Sequence, residues 1–412
     1  MQKHWARAWA LRAGCRIALV ATIGAGLPSL AAEPVVTSND AAAPVNANVI
    51  RRLDGTTITV EHAVTEIERL MKAARVKGLG VAILNDDQIV LERGFGERST
   101  GNAFDARTIT YAASYTKTMF AYLVMMLVDE GTIDLDRPIA SYFAKPITDI
   151  EKYADLKGDP RVERLTARHL LSHTTGFANF RFLEPDEKLR FHFEPGTRYA
   201  YSGEGINLMQ LVVETVTGRG LQELMKERIF DRFGMERTSM VWEKEFEANY
   251  ADGHDDAGTS VGYKRRTGAR AAGSAASDIH GMALFARGAM RGEGLSEKAR
   301  EAMFSPSIRI RSVQQFPTLD EATTTRDDAI ELSYGIGVGV FKSPHGWAWF
   351  KEGNDNGFRN HMVVFPDKKT ALVMMSNSNN AEGIFKELQA TLIGDTYSPW
   401  EWDGYVPYEA RK

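Results

Sequence analysis

Cysteine is nearly absent from this sequence, since 412 residues contain only Cys15. One thiol cannot form an internal disulfide, so the chain is not a small disulfide-stapled scaffold. A chain of this length can bury about three quarters of its unfolded surface, and its core therefore needs neither disulfides nor a structural metal. We expect Cys15 to be removed with a leader segment, which would leave a chain without a cysteine nucleophile.

Long hydrophobic runs and an excess of positive charge are also missing. No apolar run approaches the roughly 18 residues that a membrane-spanning helix needs. The chain has 50 Lys and Arg against 54 Asp and Glu, for a formal net charge of −4. Nucleic-acid binding requires clustered cations, so we expect no nucleic-acid partner. Hydrophobic residues make up 43% of the chain, which is typical of a folded globular protein.

The first 31 residues have the order of a secretory signal peptide. Four basic residues precede an apolar run at 17–27, and small residues ending at Ala31 follow it. We expect cleavage after Ala31, a periplasmic or secreted product, and no membrane span after cleavage. Residues 32–55 are rich in Ala, Pro and Asn at their start and are predicted to be a flexible leader.

The remaining pattern predicts an α+β fold. Residues 60–74 follow a helical period after Thr59, and residues 80–91 resemble a β-hairpin. A helix over 115–130 is apolar on every face, so we expect it to lie inside a large protein. Further predicted elements are helices at 207–216, 221–230, 278–290 and 382–392, and strands at 334–341, 346–350, 361–365 and 370–375.

Strands at both ends of the chain, with helices between them, predict one sheet made from the terminal segments. We expect a sheet domain from 56–135 and 271–412, with a mainly helical insertion at 136–270. No internal repeat is found.

Three short segments carry side chains suited to catalysis, and Ser114 and Lys117 form the first. On a helix, positions i and i+3 share a face with Cβ atoms about 5–6 Å apart, so the Lys117 ammonium can reach the Ser114 hydroxyl. Serine needs a base to become a nucleophile, and burial can lower a lysine pKa enough to supply one. Taken alone, the pair also fits a helix-capping serine beside a solvated lysine.

Tyr201 lies in the second segment, a Gly-rich stretch that reads YAYSGEG over 199–205. A phenol held between two ammonium groups can act as a general base and return its proton to a leaving group. A loop tyrosine is, by itself, more often a packing residue.

The third segment is Lys351, Glu352 and Gly353. We expect Lys351 at the end of a strand, where a glycine two residues on lets a ligand approach the backbone. The alternative is a Lys/Glu pair in a turn that has no role in binding or catalysis.

With their order and spacing, these segments resemble those of the serine β-lactamase and penicillin-binding superfamily, and most closely its class C branch. That branch includes class C β-lactamases, D-alanyl-D-alanine carboxypeptidases and class C-like carboxylesterases. Further similar segments are LLSHTTG at 170–176, EGTIDL at 130–135 and YGIG at 334–337. The resemblance extends over roughly residues 60–392 and implies a mainly antiparallel sheet flanked by helices plus a mainly helical domain.

The resemblance implies a role for each matching residue. Ser114 is the acylated nucleophile, Lys117 its partner in proton transfer and Tyr201 the general base. Lys351 orients the phenolate and attracts an anionic substrate. The backbone N–H groups of Ser114 and Asn354 form the oxyanion hole, and no cofactor or metal is implied.

Two positions depart from the family pattern. Gly203 stands where the family has asparagine, and Asn207 or Glu204 is a candidate to fill that space. Glu352 replaces a hydroxyl residue, and its carboxylate would repel an anionic substrate unless Lys351 or Arg359 neutralises it. We therefore expect Glu352, Gly353, Asn207 and Arg359 to shape substrate binding.

The sequence thus predicts an exported serine hydrolase that forms an acyl-enzyme on Ser114 and cleaves an ester, amide or β-lactam. The substrate is expected to be a small molecule or a peptide. The departures favour a small ester or amide over β-lactams and D-Ala-D-Ala peptides. A non-catalytic sensor or scaffold with the same fold is the alternative, because fold does not guarantee activity. The oligomeric state is left open.

Overall fold

The computed structural model describes residues 48–411, which lie in one compact unit spanning Asn46–Lys412. The predicted signal peptide and residues 32–47 of the predicted leader fall outside the described residues. Within the described part, no helix is both long and apolar enough to cross a membrane.

A nine-stranded antiparallel sheet organises the described residues. The helices on its two faces pack into two separate hydrophobic clusters. Two-stranded pairings add small ribbons outside this sheet. The strands are β1 Val49–Arg51, β2 Thr57–Thr59, β3 Gly78–Asn85, β4 Gln88–Ser99, β5 Asn102–Ala103, β6 Thr110–Tyr111, β7 Gly253–His254, β8 Ser260–Gly262, β9 Ala276–Ser277, β10 Ile308–Arg309, β11 Ser333–Tyr334, β12 Gly339–Ser343, β13 Gly346–Asp355, β14 Phe358–Phe365 and β15 Thr370–Ser376.

The sheet joins two distant parts of the chain. Its order is β10-β11-β12-β13-β14-β15-β3-β4-β5, so the late strand β15 pairs with the early strand β3. This agrees with the predicted α+β class and the mainly antiparallel sheet. The boundaries of the two expected domains stay a prediction.

Helices cover both faces of the sheet. Along β3, Val81 and Ile83 face the cluster that contains α1 and α9, whereas Ala82 and Leu84 face the one that contains α2 and α7. The helices are α1 Val60–Ala74, α2 Tyr115–Asp129, α3 Ala167–Leu171, α4 Gly203–Thr217, α5 Leu221–Met225, α6 Asp231–Phe233, α7 Ile279–Arg291, α8 Glu297–Phe304 and α9 Glu382–Ile393, with a π-helical turn at Lys226–Phe230 joining α5 to α6.

Two predicted helices form for identifiable reasons. Thr59 caps α1 by accepting the backbone N–H of His62, and the residues at helical spacing are buried. In α2, thirteen of fifteen residues are buried, from Tyr115 to Leu127, which explains why its sequence is apolar on every face. α2 is therefore a central helix that can hold a buried polar group in a fixed position.

The structure differs from the sequence expectations in several local places. The end of the predicted leader is ordered, because Ile50 in β1 and Leu53 are buried and the Leu53 N–H donates to the Ile393 carbonyl at 2.8 Å. The strand expected at 334–341 is broken into β11 and β12 by a loop. Helix α8 was not predicted.

The third segment also differs from its prediction. β13 does not end at Lys351 but continues to Asp355, because β14 pairs with it along its full length from Trp349 onward. Lys351 is thus an interior residue of a strand.

Candidate active site

Ser114 and Lys117 lie at the N-terminal end of α2, in direct contact. Ser114 occupies the N-cap position, and the Lys117 Nζ donates to the Ser114 Oγ at 3.0 Å. A second hydrogen bond of 2.5 Å joins Nζ to the Ala272 carbonyl. Burial lowers the pKa of Lys117, aided by the charge of Lys351 and opposed by Tyr201. The ammonium is fixed against the hydroxyl and is easier to deprotonate than a solvated lysine.

The Tyr201 ring lies beside two buried ammonium groups. The Nζ atoms of Lys117 and Lys351 are 4.9 and 5.0 Å from the ring centroid. Tyr201 is 3% exposed, and its hydroxyl has no hydrogen-bond partner of good geometry within residues 48–411. The Tyr201 ring is therefore enclosed between the two lysines of the first and third segments.

The His173 ring packs against the Tyr201 ring. Its ring centroid is 4.3 Å from that of Tyr201, and its Nδ1 accepts the Ser202 backbone N–H at 3.2 Å. Burial moves the pKa of His173 well below its usual value, and the charges of Lys117 and Lys351 act in the same direction. His173 is therefore a neutral residue that fixes the backbone next to Tyr201.

Lys351 and Glu352 form a buried ion pair. The Lys351 Nζ contacts the Glu352 Oε1 at 2.5 Å, and the Gln315 Nε2 donates to the same oxygen at 2.8 Å. Burial works against the charge of Lys351, but Glu352 and Tyr201 outweigh it and raise its pKa. Burial likewise opposes the charge of Glu352, and Lys351 outweighs it, so the pKa of Glu352 is lowered.

Gly353 is required by a close approach between β13 and the segment before α2. A Cβ at Gly353 would lie 2.7 Å from the Ala112 carbonyl oxygen. Asn360 ties the same elements together by donating to the carbonyls of Tyr111 and Gly353 at 3.0 and 2.8 Å. This contact brings the neighbouring Asn354 to the cleft that contains Ser114.

The space left by Gly203 is occupied by an aromatic ring. A Cβ at Gly203 would lie 2.4 Å from a ring atom of Phe180. Glu204 does not fill the space, since Arg181 holds its carboxylate at 3.0 Å. Asn207 lines the cleft, and its Oδ1 accepts the Ala272 N–H at 3.4 Å, so it braces the residue that binds Lys117.

Arg359 lies opposite Asn354 in the pairing of β13 with β14, but its side chain is held away from the cleft. It does not line the cleft, and its guanidinium lies 3.5 Å from Glu382 and donates to the Asp355 and Phe358 carbonyls. Among residues 48–411, Lys351 is the one cation that forms an ion pair with Glu352.

The cleft has a volume of about 520 Å³ and includes residues that sequence reasoning missed. Arg266 lies 3.5 Å over the Tyr111 ring and pairs with Asp355 at 3.3 Å. The density of basic residues at 264–270 was a signal for some of them. The unpredicted residues on the cleft include Lys152, Asn179, Phe180, Phe182, Lys264, Arg266, Arg270 and Phe316.

A family model described as Beta-lactamase matches residues 64–393. The chain belongs to the β-lactamase family. The relatives to which the chain is similar include hydrolases. A β-lactamase of Providencia stuartii is 21% identical over 76% of this chain and 85% of its own length. A lovastatin esterase of Penicillium rubens is 31% identical over 31% of this chain and 38% of its own.

The chain spans half the length or less of several curated relatives it matches, although it spans 85% of the Providencia stuartii β-lactamase. An uncharacterized protein of Alkalihalophilus pseudofirmus is 27% identical over 44% of this chain and 50% of its own length. Among solved structures, a D-alanine carboxypeptidase from Burkholderia cenocepacia has a TM-score of 0.61 at 19% identity, covering 77% of this chain and 93% of its own. This likeness establishes a shared β-lactamase and penicillin-binding fold.

Proposed function

We propose that the chain is a serine hydrolase that forms an acyl-enzyme on Ser114. The observation that carries the proposal is the 3.0 Å contact between the Lys117 Nζ and the Ser114 Oγ, with the Tyr201 ring beside that ammonium. A non-catalytic scaffold does not need a buried lysine held against a serine hydroxyl, because burying an ammonium costs free energy.

The proposed reaction proceeds in two steps. The Ser114 oxygen attacks the substrate carbonyl while its proton passes, with the help of Lys117, to Tyr201. The carbonyl carbon then releases its leaving group, which takes that proton, and the acyl group stays on Ser114. Tyr201 then deprotonates a water molecule, which attacks the acyl carbon. The bond to the Ser114 oxygen breaks, and Tyr201 returns the proton to that oxygen.

The proposed oxyanion hole consists of the backbone N–H groups of Ser114 and Asn354. Ser114 begins α2, where the helix dipole favours negative charge. Within residues 48–411, no backbone carbonyl accepts the Ser114 N–H in a turn, loop or helix cap. That N–H is thus available to a developing oxyanion.

Within this class, we favour an ester or a small amide over a β-lactam. Lys351 is neutralised by Glu352, so the third segment offers no uncompensated cation to a substrate carboxylate. The Phe180 ring occupies the space beside Gly203, where the family's asparagine amide would contact a substrate. A lovastatin esterase among the relatives is consistent with ester cleavage.

The proposal is tested by labelling the wild type and Ser114→Ala with a fluorophosphonate and a fluorescent penicillin. We expect an adduct in the wild type only. A wild type that is labelled no more than the variant would leave the scaffold alternative. Rapid cleavage of a chromogenic cephalosporin, with almost none of short-chain nitrophenyl esters, would reverse the preference for esters.

We also propose that the chain is exported after cleavage behind Ala31. The basic, apolar and small-residue order of residues 1–31 supports this. Mass spectrometry of the protein expressed in a Gram-negative host should find Ala32 at the N-terminus in the periplasmic fraction. Retention of Met1 in the cytoplasmic fraction would contradict it.

A further inference from the structure

Helix α4 and the segments that contact it line part of the cleft. The Phe180 ring contacts Gly203 at the start of this helix, and Asn207, one turn later, binds the Ala272 N–H. Arg270 lies two residues before Ala272. We call the aromatic and unpaired cationic residues that line the cleft, together with Asn207, the α4 wall; they are Lys152, Phe180, Phe182, Asn207, Lys264 and Arg270.

The α4 wall carries unpaired positive charge. Lys152, Lys264 and Arg270 are exposed and line the cleft, and none has an ion-pair partner within residues 48–411. The acidic groups on the cleft are already paired, Glu204 with Arg181, Glu352 with Lys351 and Asp355 with Arg266. The cleft is thus cationic although the whole chain has a formal net charge of −4.

The same wall has an apolar part. The rings of Phe180 and Phe182 stack with centroids 5.2 Å apart and planes 10° apart, and Phe182 is 64% exposed. Arg181 lies between them and holds this turn in place through Glu204 and the Lys152 carbonyl. The Lys152 backbone is therefore attached to the aromatic turn, which places apolar and cationic groups next to each other.

The part of the cleft lining beside Tyr201 and Phe316 has a different character. Phe316 contacts the Tyr201 ring at 5.7 Å, and the neighbouring Gln315 binds Glu352. This side has no unpaired cation among the described residues. Because Tyr201 returns the proton to the leaving group in the proposed reaction, the leaving group lies on this side and the acyl group lies toward the α4 wall.

We propose that the enzyme selects acyl groups that combine an apolar chain with a terminal anion. The chain lies on Phe180 and Phe182, and Lys264, Arg270 and Lys152 bind the carboxylate. This inference rests on the proposed function and adds the substrate class. It assigns anion recognition to the α4 wall and not to Lys351, whose charge is balanced by Glu352.

Three esters test the placement of the anion. They are 4-nitrophenyl hexanoate, 4-nitrophenyl 5-carboxypentanoate with the anion on the acyl side, and 3-carboxy-4-nitrophenyl hexanoate with the anion on the leaving group. Each kcat/KM is divided by the rate of hydroxide hydrolysis of the same ester. We expect the acyl-side anion to raise the corrected kcat/KM about tenfold over the neutral ester at low salt, and 0.5 M NaCl to remove most of the gain.

The double variant Lys264→Gln/Arg270→Gln tests the assigned residues. Its preference, which is the corrected kcat/KM for the acyl-side anion divided by that for the neutral ester, should fall to about threefold or less. The matched control Lys145→Gln/Lys298→Gln removes two exposed lysines that do not line the cleft, and it should keep the wild-type preference.

The outcomes separate this inference from the proposed function. If the wild type hydrolyses none of the esters faster than Ser114→Ala, the proposed function fails and the inference fails with it. If the wild type hydrolyses them without preferring the acyl-side anion, or the double variant keeps the preference, only the inference is overturned. A preference for the leaving-group anion would also overturn it.

Discussion

At the scale of single residues, one carboxylate explains why two buried lysines have opposite pKa shifts. Lys117 and Lys351 are both buried and both contact the Tyr201 ring, yet their pKa values move in opposite directions. Glu352 lies 2.5 Å from Lys351, whereas Lys117 binds only neutral oxygens. Glu352 thus favours the charged form of Lys351, whereas no carboxylate within residues 48–411 contacts Lys117, whose pKa is lowered by burial.

Removing that carboxylate should expose the cost of the buried charge. Glu352→Gln is expected to lower the free energy of unfolding at pH 7 by roughly 3–5 kcal/mol, because it leaves Lys351 buried and unpaired. The pKa of Lys351 in the folded state would then fall below its value in the unfolded chain. The unfolded state therefore binds more protons, and the free energy of unfolding rises with pH. Urea unfolding from pH 7 to 10 measures both effects.

Glu331→Gln is the matched control, since Glu331 pairs with Lys342 at the surface. It should cost about 1 kcal/mol or less. Equal losses in the two variants would contradict the argument.

Gly203 allows a second test at this scale. Gly203→Asn restores the family residue, but its Cβ would meet the Phe180 ring, so we expect a loss of roughly 1–3 kcal/mol in unfolding free energy. Phe180→Ala in the same chain should relieve this clash. A double-mutant cycle in urea should give a coupling of about 0.5–3 kcal/mol, and additive effects would show that the ring does not exclude the side chain.

At the scale of secondary-structure elements, the position of α2 depends on the loop that breaks β11 from β12. Gly337 in this loop has φ +76°, and a Cβ there would lie 2.2 Å from the Ala121 Cβ. Its carbonyl accepts the Thr118 hydroxyl at 2.8 Å. The loop therefore packs on α2 one turn from the Ser114–Lys117 pair.

Gly337→Ala is predicted to destabilise the protein by about 2 kcal/mol or more, since it adds a clash with α2 to the strain of a positive φ. Gly131→Ala separates the two causes, because Gly131 has φ +74° with no atom within 4 Å of the added Cβ. Thermal and urea unfolding should show a smaller loss for Gly131→Ala. A larger loss for this control would mean that the contact with α2 contributes nothing.

The same elements show what the sequence could and could not predict. α1 and α2 were predicted because their periodic and all-apolar patterns are local signals. The break between β11 and β12 was missed because Gly337 is required by Ala121, which is distant in sequence. Likewise, the motif residues Ser114, Lys117, Tyr201 and Lys351 were found by their spacing, whereas Phe180 and Arg270 join the cleft only through tertiary contacts.

At the scale of the whole molecule, buried histidines couple stability to pH. Burial lowers the pKa of His361 to about 4, against an opposing contribution from Glu352. Because the folded pKa is below the unfolded value of 6.5, the folded state requires neutral His361, and this stability is present above pH 6.5 and lost as the pH falls toward 4. His173, also buried, acts in the same direction.

His361→Phe should therefore weaken the pH dependence of unfolding between pH 6.5 and 4, by up to about 3 kcal/mol over that range. The phenylalanine ring is expected to pack against Trp400, whose ring centroid lies 4.4 Å from that of His361. Urea midpoints at several pH values give the slope. His62→Gln, on the exposed face of α1, is the control and should leave the slope unchanged.

The pairing of β15 with β3 determines when the molecule can fold. The Ser376 hydroxyl donates to the Gly78 carbonyl across 298 residues of chain, and β13, which carries Lys351, is attached to β3 only through β14 and β15. Closing so long a loop is entropically costly and slows folding. A chain that lacks β15 thus lacks the centre of its sheet, and the strand that carries Lys351 cannot be joined to β3 until the chain is available through residue 376.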